Sequence, residues 1–325
     1  MTIDSQMQRV LEAHAAFGAS APDTLSPQEA RLGPTPADAV KQVLIAQGKD
    51  TAPQPVGRVA PLMIPGPAGD IEARCYTPEG TGPFPVLVYF HGGGWVIADL
   101  DTYDSSARAL SVAADCIVVS CHYRQAPEHP YPAAHADAVA ATRWVMEHAQ
   151  ELGGDPARVA IAGESAGGNL ATTTCLEFVE QGWTLPIHQL LVYPVVDATF
   201  DTPSYCEHAG AKPLGRALME WFWDNYVPDT SMRGEPHATP LHADFAGLPS
   251  ATIVLAEIDP LCSEGEAYAE RLRTAGVQVN LRRYDGVAHE FFGMGAVVDQ
   301  ANEAVEFAAA DLRRAFAAAG TLARV

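Results

Sequence analysis

Basic residues are scarce in this 325-residue chain: 20 Lys and Arg stand against 40 Asp and Glu, a formal net charge of −20. Such an acidic surface repels phosphate backbones and anionic bilayers, which excludes nucleic acid and membranes as expected partners; the charge reads as solubility. Long apolar runs are also missing. The uncharged apolar stretch 84–98 contains three glycines and a proline and falls short of the ~20 apolar residues a spanning helix needs. The opening residues, Met1-Thr-Ile-Asp-Ser-Gln-Met-Gln-Arg9, have neither a basic start nor an apolar core, so no signal peptide is expected and a cytoplasmic location follows. Cysteines number six (Cys75, Cys116, Cys121, Cys175, Cys206, Cys262) without a C-x-x-C pair. Neither a zinc motif nor a disulfide framework is expected from them. Cys116 and Cys121 bracket one strand and lie too far apart along it to bridge. There is no internal repeat and no low-complexity tract.

What the chain does have is 48% hydrophobic residues, enough for the core of one large catalytic domain. The most informative stretch is Gly163-Glu-Ser-Ala-Gly167. Before it, Arg158 to Gly163 is a short apolar run that suits a buried strand of a parallel sheet. After it, Gly168 to Glu180 has helical spacing. A serine between strand and helix with glycines two positions either side is a nucleophile elbow: the turn is strained, the glycines leave room for crossing backbones, and Ser165 Oγ stands clear.

A second loop, His91-Gly-Gly-Gly-Trp95, follows the buried strand Phe84 to Phe90. Three successive glycines expose backbone N–H groups without Cβ shielding, which suits a loop that wraps a developing oxyanion. One strand–helix unit separates the loop from Ser165, with Asp115 to Ser120 as its strand and Ala133 to Gln150 as the helix that follows.

These motifs, with Tyr123-Arg-Gln-Ala-Pro-Glu-His-Pro-Tyr-Pro-Ala-Ala134, Tyr193-Pro194 and Asp259-Pro-Leu261, resemble the hormone-sensitive-lipase-like family of α/β-hydrolases, in its bacterial esterase branch. The matching segments run from about Asp70 to Phe292. The resemblance implies an α/β-hydrolase fold: a mostly parallel sheet of about eight strands, flanked by helices and carrying a helical cap. Two departures stand out. Glu164 occupies a position usually held by aspartate, and Glu290 follows the histidine where glycine is common.

A serine nucleophile needs a base, and the base needs a carboxylate. The fold's chain order is Ser, then acid, then His, at the ends of successive strands. Ser250 to Ala256 reads as a strand with Glu257-Ile-Asp259 as its exit loop, and Val277 to Tyr284 reads as the last strand, with His289 after it. His289 is therefore the expected base. His91 and His129 sit in loops as structural hydrogen-bonders, and His188 starts a strand. His14, His135 and His148 fall in helices, where a solvated or capping role is expected. Among Glu257, Asp259 and Asp285, the acid is Asp259 because it matches the family's D-P-L; Glu257 is expected to brace the loop. The resemblance further implies Gly92, Gly93 and Ala166 as the oxyanion-hole N–H groups, with no cofactor and no metal.

The expected organisation is an N-terminal cap segment over 1–55, a catalytic domain over 56–202 and 246–325, and an inserted cap segment over 203–245. In the insertion, Trp221, Phe222, Trp223 and Tyr226 either line a pocket or anchor the cap. The implied activity is hydrolysis of short- to medium-chain carboxylesters through an acyl-enzyme. Cleavage of amides, carbamates or lactones by the same triad, or a catalytically silent ligand receptor as in plant gibberellin receptors, are the alternatives. Those receptors have lost the histidine that His289 supplies here. The last strand is expected to lie at a sheet edge, where the family resemblance implies a homodimer.

Overall fold

The computed structural model describes residues 2–322. Three helices open the chain: α1 (Ser5–Ala15), α2 (Pro27–Ala30) and α3 (Pro36–Ala46). Their starts are written in the sequence. Asp4 caps α1, and Ser26 and Thr35 form capping boxes with Glu29 and Asp38 ahead of Pro27 and Pro36. An antiparallel pair follows, β1 (Arg58–Gly66) and β2 (Gly69–Thr77). The chain then alternates through β3 (Phe84–Phe90), α4 (Asp104–Ala114), β4 (Ile117–Cys121), α5 (Ala133–His148), β5 (Gly154–Glu164), α6 (Ala166–Glu180) and β6 (His188–Val192). The inserted segment carries α7 (Pro203–Glu207) and α8 (Arg216–Tyr226). The chain ends with β7 (Ser250–Ile258), α9 (Cys262–Thr274), β8 (Val279–Ala288) and α10 (Asp299–Leu322).

The eight strands form one sheet in the order β1-β2-β4-β3-β5-β6-β7-β8. From β4 to β8 every pairing is parallel; only β1 and β2 run against their neighbours. Helices cover both faces, so central strands are apolar throughout rather than alternating. In β3, for example, Val86, Val88 and Phe90 join the core beneath α5 and α6, while Leu87 and Tyr89 join the core beneath α4 and α10. β1 lies at one edge of the sheet and β8, as expected, at the other. Val279 and Leu281 are only half-buried there.

Two boundaries differ from the sequence reading, both for local reasons. The last strand begins at Val279 rather than Val277, because the Val277 N–H closes the end of α9 by donating to Leu272 O at 3.0 Å, beyond Gly276 at φ +85°. It also runs on to Ala288. Ala256 pairs with Tyr284 and Ile258 with Ala288, so two steps on β7 span four on β8. The resulting bulge is held by Glu257, whose carboxylate accepts the Gly286 N–H at 2.7 Å. Glu257 thus lies in the strand instead of its exit loop, and it braces the neighbouring strand.

The elbow depends on the absence of side chains. A Cβ at Gly163 would lie 2.0 Å from Gly167 O, and a Cβ at Gly167 would lie 2.0 Å from Phe90 O. Backbone atoms cannot swing aside as side chains do. Gly163→Ala is therefore expected to cost about 3 kcal/mol or more. Gly210→Ala, at an exposed position with open space around it, is expected to stay within about 0.5 kcal/mol of wild type. Urea unfolding of the three proteins checks this, and a Gly163→Ala midpoint equal to the wild type would contradict the packing argument.

Candidate active site

The sheet brings the three expected residues together by register. The pair Glu164↔Val192 ends β5, and the Ser165 N–H donates to Val192 O at 2.9 Å. The pair Ile258↔Ala288 puts the next residues of both strands, Asp259 and His289, side by side. His289 Nδ1–H donates to Asp259 Oδ2 at 2.6 Å, and Ser165 Oγ–H points to His289 Nε2 at 3.0 Å. All three are buried. Asp259 Oδ1 also accepts the Leu261 N–H at 2.9 Å, which fixes the carboxylate plane. An imidazole held between a hydroxyl and a carboxylate can accept the hydroxyl proton while its charged form is stabilised from behind.

Backbone strain gathers at this point. Ser165 has φ +56° and ψ −119°, a conformation that side-chain-bearing residues rarely adopt. Trp95, Ala98, Tyr193 and Glu290 also have positive φ. Ala98 and Glu290 line the cavity with Ser165, the Tyr193 ring lies 4.4 Å from that of His289, and Trp95 follows the glycines of the loop, whereas the remaining described non-glycine case, Asp115, merely ends α4. Strain of this kind persists only where surrounding contacts over-determine it.

Two glutamates lie against the triad. Glu164 is fully buried and accepts hydrogen bonds from Tyr89 (2.7 Å) and Tyr193 (2.5 Å). Burial, followed by the nearby charge of Glu290, pushes its pKa up to about 7 despite those bonds. The Tyr193 ring in turn sits 4.4 Å from the His289 ring. Glu290 accepts from Tyr103 at 2.6 Å, and its Oε1 lies 3.9 Å from His289 Nε2. Burial lowers the pKa of His289, but Asp259, its hydrogen bond and then Glu290 act the other way and leave it above the usual value. Glu290, noted in the sequence only as a departure, is therefore part of the base's electrostatic surroundings.

The glycine loop is held from several sides. Tyr123 OH lies 3.0 Å from both His91 O and Gly92 O. Gln125 donates to Ile97 O and Ala98 O, and the Ala126 N–H donates to Trp95 O. Arg124 is anchored by the buried Asp137. The Tyr123–Ala134 motif is thus the brace of the loop. His91 is structural, as expected: it stacks on Tyr123, lies 2.9 Å from His122, and burial drives its pKa down to about 3, so it stays neutral. Arg31, which the sequence reading passed over, donates to Val96 O and Ala126 O and pairs with Glu128. That contact ties the N-terminal segment to the loop.

Ser165 and His289 open into a cavity of about 610 Å³. Its wall includes Leu11 and Ala15 from the N-terminal segment, and Leu214, Leu218 and Phe222 from the insertion. Gly93 and Gly94 line it, and Gly94, missed in the sequence, meets the Phe222 ring so closely that any Cβ would overlap it. Gly92 stands behind, against Tyr103 OH, and Ala166 opens α6 next to the serine. Of the four aromatic residues singled out, Phe222 lines the cavity. Trp223 and Tyr226 are fully buried against Trp95, with ring centroids 5.1 and 4.2 Å away, and so act as anchors. Trp221 packs edge-on against Phe222.

His135 differs from expectation. It is buried rather than solvated, with Nδ1 3.2 Å from Thr173 Oγ1, because α5 turns that face onto α6. Among the described residues, the one cluster of His and carboxylate groups with metal-ligand spacing contains it and lies outside the cavity.

A family profile described as the alpha/beta hydrolase fold matches residues 87–293. Carboxylesterase NlhH of Mycobacterium tuberculosis is 44% identical over 251 residues, covering 76% of this chain and 79% of its own. Ethyl acetate hydrolase of Pseudomonas putida is 36% identical, covering 72% and 75%. Among solved structures, a hyperthermophilic esterase from the archaeon Pyrobaculum calidifontis superimposes with a TM-score of 0.88 at 36% identity, covering 97% of this chain and 99% of that one. The chain belongs to the α/β-hydrolase family, in its hormone-sensitive-lipase-like branch.

Proposed function

We propose that this protein is a serine carboxylester hydrolase that works through Ser165, His289 and Asp259. The observation that carries this reading is the single imidazole hydrogen-bonded at 3.0 Å to a strained serine and at 2.6 Å to a buried carboxylate. His289 Nε2 takes the hydroxyl proton as Ser165 Oγ attacks the ester carbonyl carbon. The carbonyl oxygen becomes an oxyanion that the N–H groups of Gly92, Gly93 and Ala166 receive. At the start of α6 the helix dipole adds to these donors. Collapse of the intermediate expels the alkoxide, which takes the proton from His289 and leaves as alcohol. Water repeats the sequence on the acyl-enzyme: it gives its proton to His289, attacks the carbonyl, and Ser165 leaves as the acid is released. Neither step needs a cofactor.

Substrate size follows from the cavity. Roughly 610 Å³ walled by Leu11, Leu214, Leu218 and Phe222 suits a small, largely apolar ester, and short- to medium-chain acyl groups fit that description. The segments 1–55 and 203–245 together form the cap, since each supplies part of the wall. The carboxylesterase and ethyl acetate hydrolase names of the relatives point the same way.

Ser165→Ala removes one hydroxyl and is expected to leave a folded protein whose kcat on a p-nitrophenyl ester falls by roughly 10⁴-fold or more. A variant that keeps a tenth of the activity would reject Ser165 as nucleophile.

The pH dependence has a definite sign. Only neutral imidazole accepts the serine proton, so activity rises with pH through the His289 ionisation. The Glu290 carboxylate favours the imidazolium. Glu290→Gln keeps an acceptor for Tyr103 but removes the charge, and is expected to move the acid limb of the kcat profile to lower pH by about half a unit or more. Movement to higher pH would contradict the electrostatic role.

A further inference from the structure

His135 on α5, Glu177 on α6 and His237 in the insertion bring one ligand atom each to a common point, with no two of these atoms more than 4.8 Å apart. Glu177 Oε2 lies 3.9 Å from His135 Nε2 and 3.6 Å from His237 Nε2. Glu180 Oε2 lies 3.4 Å from His237 Nε2 on the open side. We propose that His135, Glu177 and His237 bind one divalent transition-metal ion of the zinc type, which pins the inserted segment to α5 and α6.

The hydrogen bonds around His135 define which nitrogen is available. Thr173 Oγ1 donates its hydrogen to Asn169 O at 2.9 Å, so toward His135 Nδ1 it can only accept. Nδ1 therefore carries the ring hydrogen, and Nε2 turns a bare lone pair toward Glu177. Such outer bonds are what orient metal-binding histidines. His237 Nε2 is itself buried without a hydrogen-bond partner. Among the described residues, no Lys or Arg pairs with Glu177 or Glu180. The Glu177 carboxylate and the His135 lone pair thus face each other with no fixed cation between them.

The spacing and chemistry suit such an ion. Ligand atoms on a tetrahedral ion with bonds of about 2.0–2.1 Å stand roughly 3.4 Å apart; Glu177 Oε2 lies 3.6 and 3.9 Å from the two imidazole nitrogens, and no two of the three ligand atoms are more than 4.8 Å apart. Two imidazoles with carboxylate select Zn²⁺, Co²⁺ or Ni²⁺ over Ca²⁺ and Mg²⁺. The two rings stack at 4.8 Å and 20°, so the His237 ring must turn for its lone pair to converge. Its side chain is partly exposed and free to do so, while its backbone is held through Asn169, which donates to Ala238 O at 2.9 Å.

The test uses the full chain, freed of metal with a chelator and dialysed. Titration with ZnCl₂ by calorimetry, and with CoCl₂ by visible absorption, should give one equivalent bound with a Kd below about 10 µM, tetrahedral Co²⁺ bands and a higher melting temperature. His237→Ala should keep esterase activity yet weaken binding at least about 100-fold, and Glu177→Gln at least about tenfold. No binding to the wild type at about 100 µM metal, or binding unchanged by His237→Ala, would overturn the proposal.

Discussion

A backbone crossing with no room for side chains decides where everything else sits. β5 ends, turns through Ser165 and enters α6 so tightly that neither Gly163 nor Gly167 can carry a β-carbon. The obstacle at Gly167 is Phe90 O, the last residue of β3, and β3 leads directly into the glycine loop. One contact therefore sets the distance between the serine turn and the glycine loop. The strained Ser165 backbone is held at both ends: its N–H bonds to Val192 O, and its carbonyl accepts from Asn169 and Val195.

Much of this was legible in the sequence, because each part has a local cause. Glycines at fixed offsets from a serine, after an apolar run and before a helical pattern, point to one kind of turn. His289 follows from strand order and Asp259 from its match to the family's D-P-L, and the sheet sets them side by side by pairing Ile258 with Ala288. Boundaries were less legible, since the bulge that carries β8 on to Ala288 depends on Glu257 reaching across from β7. The tertiary partners of polar groups were least legible of all. Nothing local to Glu290 reveals Tyr103, 187 residues away in sequence. His135 looks like a surface helix residue until α6 covers it. His135, Glu177 and His237 come from three segments with no motif spacing, so only the fold assembles them.

The site is unusually acidic for one proposed to form an imidazolium and an oxyanion in turn. Asp259 and Glu290 both favour a protonated His289, while an oxyanion at the serine would gain nothing from them and would rely on backbone dipoles. Glu164 is drawn toward neutrality at about pH 7 by burial and by Glu290, which limits the negative charge accumulating beneath the serine. Tyr89, Tyr193 and Tyr103 direct their hydroxyl protons to these two carboxylates. The departures from aspartate at 164 and from glycine at 290 are thus parts of one buried network.

The central claim is that hydrolysis passes through an ester on Ser165, and isolating that ester tests it most directly. A hindered aryl ester whose acyl group leaves slowly should release one equivalent of phenol in a burst. Acid quenching should then show the acyl mass on the peptide that contains Ser165. Steady turnover with no acylated peptide, or an acyl group on any other residue, would contradict the account.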